Sequence, residues 1–266
     1  IPKIVLSVEG GHDLARAIMT TDTVTKEAAV KAEGFTVGGM LKGAGMIHPN
    51  LATMLCFLTT DADVDGEFLR RSLKKAVAVS FNMISVDGDN STNDMVLVMA
   101  NGTAGGKPIT KGSRKAGTFQ QALNKVCTYL AREAIRDAEG ATKLIEVKVS
   151  GALSLKDARL AARTIASSSL VKTAVHGSDP NWGRVLAAAG RSGASMEEEK
   201  MELYIGDTCV VKGGTPVAFD KKEVVKHLDG KEVYIALNLH LGKAEATAWG
   251  CDLSEEYVKI NAEYTT

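Results

Sequence analysis

A threonine within an apolar segment is the side chain in this sequence with the clearest chemical potential. Thr53 follows the glycine-rich run 38–45 and lies inside the segment 51–58, in which all of the remaining residues are apolar. A short continuous apolar run predicts a buried strand. Because threonine is common in strands, a purely structural hydroxyl is the simpler interpretation of Thr53.

The alternative interpretation is that Thr53 is an activated nucleophile. Threonine is weakly nucleophilic at its ordinary pKa and needs a base within hydrogen-bond distance. Cleavage between Ala52 and Thr53 would supply that base as the new α-amine. With an unperturbed pKa of about 7.7–8.0, this amine is partly neutral at pH 7. The residues alone leave both interpretations of Thr53 open.

The acidic run 87–94 resembles a calcium-binding loop, with oxygen-bearing side chains at alternating positions. That loop requires a glycine at its sixth position and a glutamate at its twelfth, where this chain has Thr92 and Val98. The run therefore predicts a polar turn near a functional site. The five histidines and four cysteines are scattered without the spacing of a zinc site, so the sequence predicts no metal.

Composition limits the remaining function classes. The chain has 266 residues, 45% of them hydrophobic, which is typical of a globular protein. Its 32 basic and 32 acidic residues give a net charge of zero, so we expect no nucleic-acid partner. No apolar run is long enough to span a membrane, so we expect no membrane association. The scattered cysteines favour free thiols in a reducing cytoplasm.

Helix and strand signals alternate along the chain. One of the predicted helices begins with Thr118 and Gln121, which have the spacing of a capping box. Such a mixture predicts an α/β or α+β layered fold. We place a domain boundary near residue 140, giving domains 1–140 and 141–266. The predicted helices are 11–20, 67–81, 119–138, 154–167 and 182–189, and the predicted strands are 51–58, 95–100, 144–149 and 170–175.

Six longer runs carry a family resemblance. In chain order they are IMTTDT, KGAGMIHPNLATML, SVDGDNSTND, REAIRDAEGATK, HGSDPNWGR and INAEYTT. Together they resemble the ornithine acetyltransferase, or glutamate N-acetyltransferase, family of arginine biosynthesis. The resemblance implies self-cleavage between Ala52 and Thr53, which makes Thr53 an N-terminal nucleophile. It also implies an N-terminal-nucleophile-like sandwich core and a smaller C-terminal α/β domain.

The resemblance further implies a ping-pong acetyl transfer. Thr53 would attack the acetyl carbonyl of N2-acetylornithine, release ornithine and pass the acetyl group to glutamate. No cofactor is implied, and the resemblance leaves open whether acetyl-CoA is also an acetyl donor. The two cleaved fragments are expected to associate and to form a higher oligomer.

The family's substrate-binding positions can be placed on this sequence. A lysine and a carboxylate are natural partners for an amino-acid substrate, which carries both charges. The spacing of the IMTTDT run leaves open which of its two threonines is the ligand contact. The matching positions are Thr20 or Thr21, Lys42, Glu139, Asn261 and Thr266.

Two alternatives to the acetyltransferase remain. One is an aminopeptidase or amidase of the same nucleophile class, which would deliver the acyl group to water. The other is an inactive binding fragment. The family's oxyanion-hole pair, a threonine and a glycine, belongs upstream of the position that matches Ile1, and we find no substitute in this sequence. Losing one oxyanion donor costs about 10²–10³ in rate.

Overall fold

The computed structural model describes residue 7 and residues 10–48, 54–91 and 93–263. Strands and helices are mixed throughout these residues, which confirms the predicted α/β class. None of the helices found there combines the length and the apolar character needed to cross a membrane. The helices are α1 (Gly10–Ala17), α2 (Gly66–Val79), α3 (Ala116–Arg136), α4 (Leu155–Ala166), α5 (Ser169–His176), α6 (Trp182–Gly190), α7 (Lys221–Asp229) and α8 (Glu255–Glu263).

The strands form two sheets. The first has the order β1-β2-β3-β5 and the second has the order β4-β11-β6-β10-β7-β8-β9. The strands are β1 (Lys26–Ala32), β2 (Phe35–Lys42), β3 (Leu55–Thr60), β4 (Ile84–Ser85), β5 (Met95–Ala100), β6 (Leu144–Ala152), β7 (Glu202–Ile205), β8 (Thr208–Lys212), β9 (Thr215–Pro216), β10 (Glu232–Asn238) and β11 (Ala244–Cys251).

The first sheet joins the glycine-rich segment to the strand that follows Thr53. Strands β1, β2 and β3 are antiparallel, and β3 pairs in parallel with β5. Lys42 at the end of β2 lies opposite Leu55, and Leu55 lies opposite Met95. This register brings the end of β2 and the beginnings of β3 and β5 to the same edge of the sheet.

Helix α3 packs between the two sheets, because it contacts strands of both. Its buried face includes Phe119, Leu123, Val126 and Leu130. The opposite face of the first sheet is less covered by the described residues. There Met95, Leu97 and Met99 of β5 are exposed, whereas the residues between them, on the other face, are half-buried. The strand predicted at 95–100 is confirmed. Its continuous apolar run also predicts burial, and that prediction is wrong.

Strand β4 connects the two parts of the chain. It comes from the segment before residue 140, yet it pairs in parallel with β11, at Trp249↔Ile84 and Gly250↔Ser85. Strand β11 also pairs with β6, which pairs in parallel with β10. The domain boundary near residue 140 stays a prediction.

Two predictions of local structure are wrong. The segment predicted as a strand at 170–175 is the helix α5. Its buried Val171, Ala174 and Val175 have the i, i+3, i+4 spacing of a helix face. In a segment this short, the same apolar residues also fit the pattern of a strand. The capping box at Thr118 is also absent, because α3 begins two residues earlier. The Thr118 hydroxyl donates instead to Glu33.

Candidate active site

The segment after β2 passes very close to the loop after α3. The backbone N–H of Glu139 donates to the carbonyl of Ala44 at 2.9 Å. At Gly45, a Cβ atom would lie 2.5 Å from Glu139 Oε2. The sequence places a glycine here because the Glu139 carboxylate occupies the space that a side chain would need.

The C-terminal helix brings a second predicted binding residue to Glu139. Asn261 in α8 donates from Nδ2 to Glu139 Oε2 at 3.0 Å, and also to the carbonyl of Tyr257 at 3.0 Å. The turn at Gly140 fixes the helix, because Ser254 Oγ donates to the Gly140 carbonyl at 2.5 Å. Glu139 and Asn261, which are 122 residues apart in sequence, therefore lie in direct contact.

The two threonines of the IMTTDT run have different surroundings. Thr20 is exposed, and its backbone N–H donates to Asp22 Oδ2 at 3.1 Å. Thr21 is half-buried and lines a cavity of about 220 Å³ together with Glu139, Gly140 and Ile260. Of the two candidates, Thr21 is the one that shares a cavity with Glu139.

A buried ion cluster fixes this threonine segment against β2 and α3. Lys26 Nζ lies 2.6 Å from Asp22 Oδ1 and 2.5 Å from Asp137 Oδ2, and all three side chains are buried. Asp22 also accepts the N–H of Gly43 at 2.7 Å, and Asp137 accepts the N–H of Thr23 at 3.0 Å. Burial alone would raise the pKa of Asp22. The bond from Gly43 and the contact with Lys26 outweigh burial and hold that pKa below its ordinary value.

Lys42 is buried at the end of β2, with 8% of its surface exposed. Its positive charge acts on Asp94, where it opposes the effect of burial on the pKa of that carboxyl. In the sheet, Lys42 lies opposite Leu55, the first residue of β3.

Ala52, Thr53 and Thr266 lie outside the described residues. The backbone directly after Thr53 is described and is held at both of its polar groups. Met54 N donates to Asp94 Oδ1 at 2.8 Å, and the Met54 carbonyl accepts the N–H of Met95 at 3.1 Å. The residue that follows Thr53 is thus fixed against the beginning of β5.

The acidic run 87–94 binds backbone amides. Asp87 accepts the N–H of Met46 at 2.7 Å and that of Ile47 at 3.2 Å. The hydroxyl of Tyr257 donates to Asp87 at 3.4 Å. The pKa of this tyrosine is raised, first by burial and second by the charge of the Asp87 carboxylate. Burial also raises the pKa of Asp87. The polar turn therefore fixes the glycine-rich segment and β3 from one side. Among the described residues, no group of three or more His, Cys, Asp or Glu side chains could hold a metal ion.

Sequence reasoning missed four carboxylate and ammonium groups of this site, namely Asp22, Lys26, Asp94 and Asp137. Lys26 and Asp137 are 111 residues apart, and no spacing pattern in the sequence predicts their contact. Asp94 carried a signal, because it belongs to the acidic run for which we predicted a turn near a site.

Comparison with known proteins gives a consistent result. The sequence model of the ArgJ family matches residues 1–266. A relative from Dehalococcoides mccartyi, named arginine biosynthesis bifunctional protein ArgJ, is 57% identical over 98% of this chain and 65% of its own length. A relative of the same name from Bacillus subtilis is 47% identical over 97% of this chain and 64% of its own length.

A solved structure agrees with the sequence comparisons. The crystal structure of arginine biosynthesis bifunctional protein ArgJ from Bacillus halodurans superposes with a TM-score of 0.78 at 45% identity. The match covers 80% of this chain and all of that one. The chain spans less than two thirds of the length of several curated relatives that it matches. Because the family model covers the whole sequence, the chain belongs to the ArgJ family.

Proposed function

We propose that this chain carries the machinery for acetyl transfer from N2-acetylornithine to glutamate in arginine biosynthesis. The observation that supports this most directly is the arrangement around the glycine-rich segment. Glu139 contacts Asn261 and shares a cavity with Thr21, and Lys42 lies at the strand end next to Met54. Membership of the ArgJ family supports the same reaction class.

The charges at this site suit an amino-acid substrate. Ornithine and glutamate both carry a carboxylate, which a buried lysine can bind, and ornithine carries an additional ammonium group that a carboxylate can bind. We assign the carboxylate of the substrate to Lys42 and its side-chain ammonium to Glu139. Asn261 then orients the Glu139 carboxylate through the 3.0 Å hydrogen bond between them.

In the proposed reaction, Thr53 Oγ1 attacks the acetyl carbonyl while the α-amine of Thr53 takes the hydroxyl proton. The amide C–N bond breaks, the proton passes to the leaving nitrogen, and ornithine departs from an acetyl-threonine ester. The amine of glutamate then attacks the ester carbonyl, the ester C–O bond breaks, and Oγ1 recovers its proton. Both half-reactions use the same nucleophile, so donor and acceptor occupy the site in turn.

The names of the relatives support a second activity of the same site. They are called bifunctional, and the same nucleophile could accept an acetyl group from acetyl-CoA. We further propose that the two cleaved fragments remain associated and form a higher oligomer. All four cysteines are free, which favours a reducing cytoplasm.

The first experiment is the intact mass of the protein under denaturing conditions, with N-terminal sequencing of any fragment. The protein is produced from its whole open reading frame. We expect a fragment that begins Thr-Met-Leu-Cys-Phe, whereas a Thr53→Ala variant stays whole. A Thr59→Ala variant is the matched control, because Thr59 is an exposed threonine of β3, and it should be cleaved normally.

The second step supplies N2-acetylornithine without an acceptor. The fragment that begins at Thr53 should gain the mass of one acetyl group and lose it when glutamate is added, with N-acetylglutamate as product. Release of free acetate in place of N-acetylglutamate would indicate an amidase. A cleaved protein that gains no acetyl group from either acetylornithine or acetyl-CoA would contradict the proposal.

A further inference from the structure

A second cavity is bordered by α3, α4 and β11, and we name it the α3–α4 cavity. It has a volume of about 480 Å³ and shares no lining residue with the 220 Å³ cavity of Thr21 and Glu139. Arg132 of α3, Arg159 of α4 and Trp249 of β11 are among the residues that line it. Two guanidinium groups from different helices therefore border one cavity.

These guanidinium groups have donors that no described residue accepts. Arg159 forms no hydrogen bond or ion pair within the described part of the chain. The Nε atom of Arg132 is buried and lacks a hydrogen-bond partner there, and so does Nε of Arg163, one helical turn beyond Arg159. Because burying a donor without an acceptor is costly, these groups require an acceptor from outside the described residues.

Arg159 and Arg163 also repel each other. They are four residues apart in α4, a spacing at which like charges destabilise a helix. The pKa of Arg163 is lowered, first by burial and second by the charge of Arg159. An anion bound to Arg159 would offset this repulsion.

The carboxylates that line the cavity are already bound to other groups. Glu146 Oε2 accepts the indole N–H of Trp249 at 2.8 Å and lies 3.7 Å from Arg132 Nη1. Glu245 Oε2 lies 3.1 Å from Lys148 Nζ. Neither carboxylate contacts the guanidinium of α4, so the positive charge on that side of the cavity has no partner among the described residues.

The other walls of the cavity suit the organic part of a ligand. Val79 and Leu155 are exposed apolar side chains, and they line the cavity together with the indole of Trp249. Asn124 and Thr128 add neutral hydrogen-bonding groups. Sites for small molecules typically have volumes of about 300–1,000 Å³ and combine apolar walls with a few polar groups. The α3–α4 cavity has both properties.

We propose that the α3–α4 cavity binds a small organic anion, whose phosphate or carboxylate group accepts hydrogen bonds from Arg159 and from Arg132 Nε. The apolar part of the ligand contacts Trp249. Phosphates and carboxylates both match the planar fork of a guanidinium group. The site is independent of the proposed acetyl transfer, because none of the residues that line the cavity has a role in that reaction.

The test uses the protein produced from its whole open reading frame and three probes that share one aromatic ring. Isothermal titration calorimetry at constant ionic strength measures the binding of phenyl phosphate, benzoate and the neutral control benzyl alcohol. Arg159→Gln is compared with Lys156→Gln, which removes the same charge from α4. Lys156 is exposed and does not line the cavity.

We expect at least one of the two anions to bind at a single site, and the tighter of the two identifies the preferred group. Benzyl alcohol should bind at least about tenfold more weakly, because it lacks the charge. Arg159→Gln should weaken binding of the anion by about 10- to 10²-fold, and Lys156→Gln by less than about twofold. Without a ligand, Arg159→Gln should unfold at a temperature no lower than the wild type, because it removes the repulsion with Arg163.

A second variant, Thr128→Glu, adds a carboxylate to the wall of the cavity and should also prevent binding of the anion. Anion binding that is unchanged in Arg159→Gln or in Thr128→Glu would place the anion elsewhere and overturn the proposal. Failure of both anions to bind the wild type would overturn it as well, as would equal binding of benzyl alcohol. A clearly lower unfolding temperature of Arg159→Gln would show that Arg159 stabilises the protein itself, which also contradicts the proposal.

Discussion

At the scale of single residues, Gly45 and Glu139 define the closest approach between the glycine-rich segment and the rest of the site. A Cβ atom at Gly45 would meet the end of the Glu139 side chain, at 2.5 Å from Oε2. That side chain is flexible and can move away, so the fold tolerates the change. Moving it breaks the 3.0 Å bond from Asn261, so recognition of the substrate is what changes.

We therefore expect Gly45→Ala to reduce kcat/KM for N2-acetylornithine by about 10- to 10²-fold, mostly through KM, with a small change in the thermal unfolding temperature. Steady-state kinetics and a thermal melt check this. Gly117→Ala is the control, because a Cβ at that position in α3 meets nothing within 4 Å. If Gly45→Ala keeps the wild-type KM, Glu139 does not bind substrate in the manner proposed.

The sequence predicts most of the binding residues of this site, but it does not predict the hydrogen bonds and ion pairs that position them. The family runs named Lys42, Glu139 and Asn261 as binding positions, and the structure places Glu139 and Asn261 in contact. Nothing in local spacing connects Asp94 to Met54, because their hydrogen bond depends on the parallel pairing of β3 with β5. Contacts that depend on the register between two strands cannot be predicted from the periodicity along one strand.

At the scale of elements, local sequence patterns gave correct predictions where the interaction lies within a few residues of the chain. Ser154 begins α4 as predicted, because its hydroxyl accepts the N–H of Asp157. The strand predicted at 170–175 is wrong because the four apolar residues of that segment fit a helix face as well as a strand. Whether such a segment becomes α5 is decided by the surface it packs against, which the sequence does not display.

The buried cluster at the start of β1 supports a prediction at this scale. Lys26→Met leaves Asp22 and Asp137 buried without their cation. Breaking such a pair costs about 3–5 kcal/mol, so the free energy of unfolding should fall by that amount at neutral pH. Urea denaturation measures it, and Lys31→Met, an exposed lysine of the same strand, should have little effect.

The same cluster predicts how the difference depends on pH. In the wild type, the pKa of Asp22 lies below its ordinary 3.8, so its contribution is present above that pH and is lost as the pH falls further. In Lys26→Met, burial without a cation raises this pKa, so protonation relieves the penalty. The gap in unfolding free energy between the two proteins should narrow from about pH 7 to about pH 4. A constant gap would mean that Lys26 acts through packing alone.

At the scale of the whole molecule, the chain returns to the glycine-rich segment at its C-terminal end. Helix α8 follows the last strand of the second sheet, yet its Asn261 contacts Glu139 and its Tyr257 contacts Asp87. Strand β4 connects the two parts of the chain in the opposite direction. It comes from the earlier part of the chain and pairs with β11 in the second sheet. The second sheet and α8 therefore help to shape the site, although the predicted nucleophile lies beside the first sheet in sequence.

The turn at Gly140 tests this dependence. Gly140 has φ +67°, and a Cβ there would overlap the backbone nitrogen of Tyr257, so α8 itself would have to move. Gly112 has φ +84° and meets nothing within 4 Å, so Gly112→Ala measures the cost of the positive φ by itself, about 1 kcal/mol. Gly140→Ala should cost roughly a further 1–3 kcal/mol from overlap. Because Asn261 is displaced with α8, Gly140→Ala should also weaken binding of N2-acetylornithine and expose the C-terminal segment to limited proteolysis, whereas Gly112→Ala should do neither. Equal stability, proteolysis and KM in the two variants would show that α8 contributes nothing to the site.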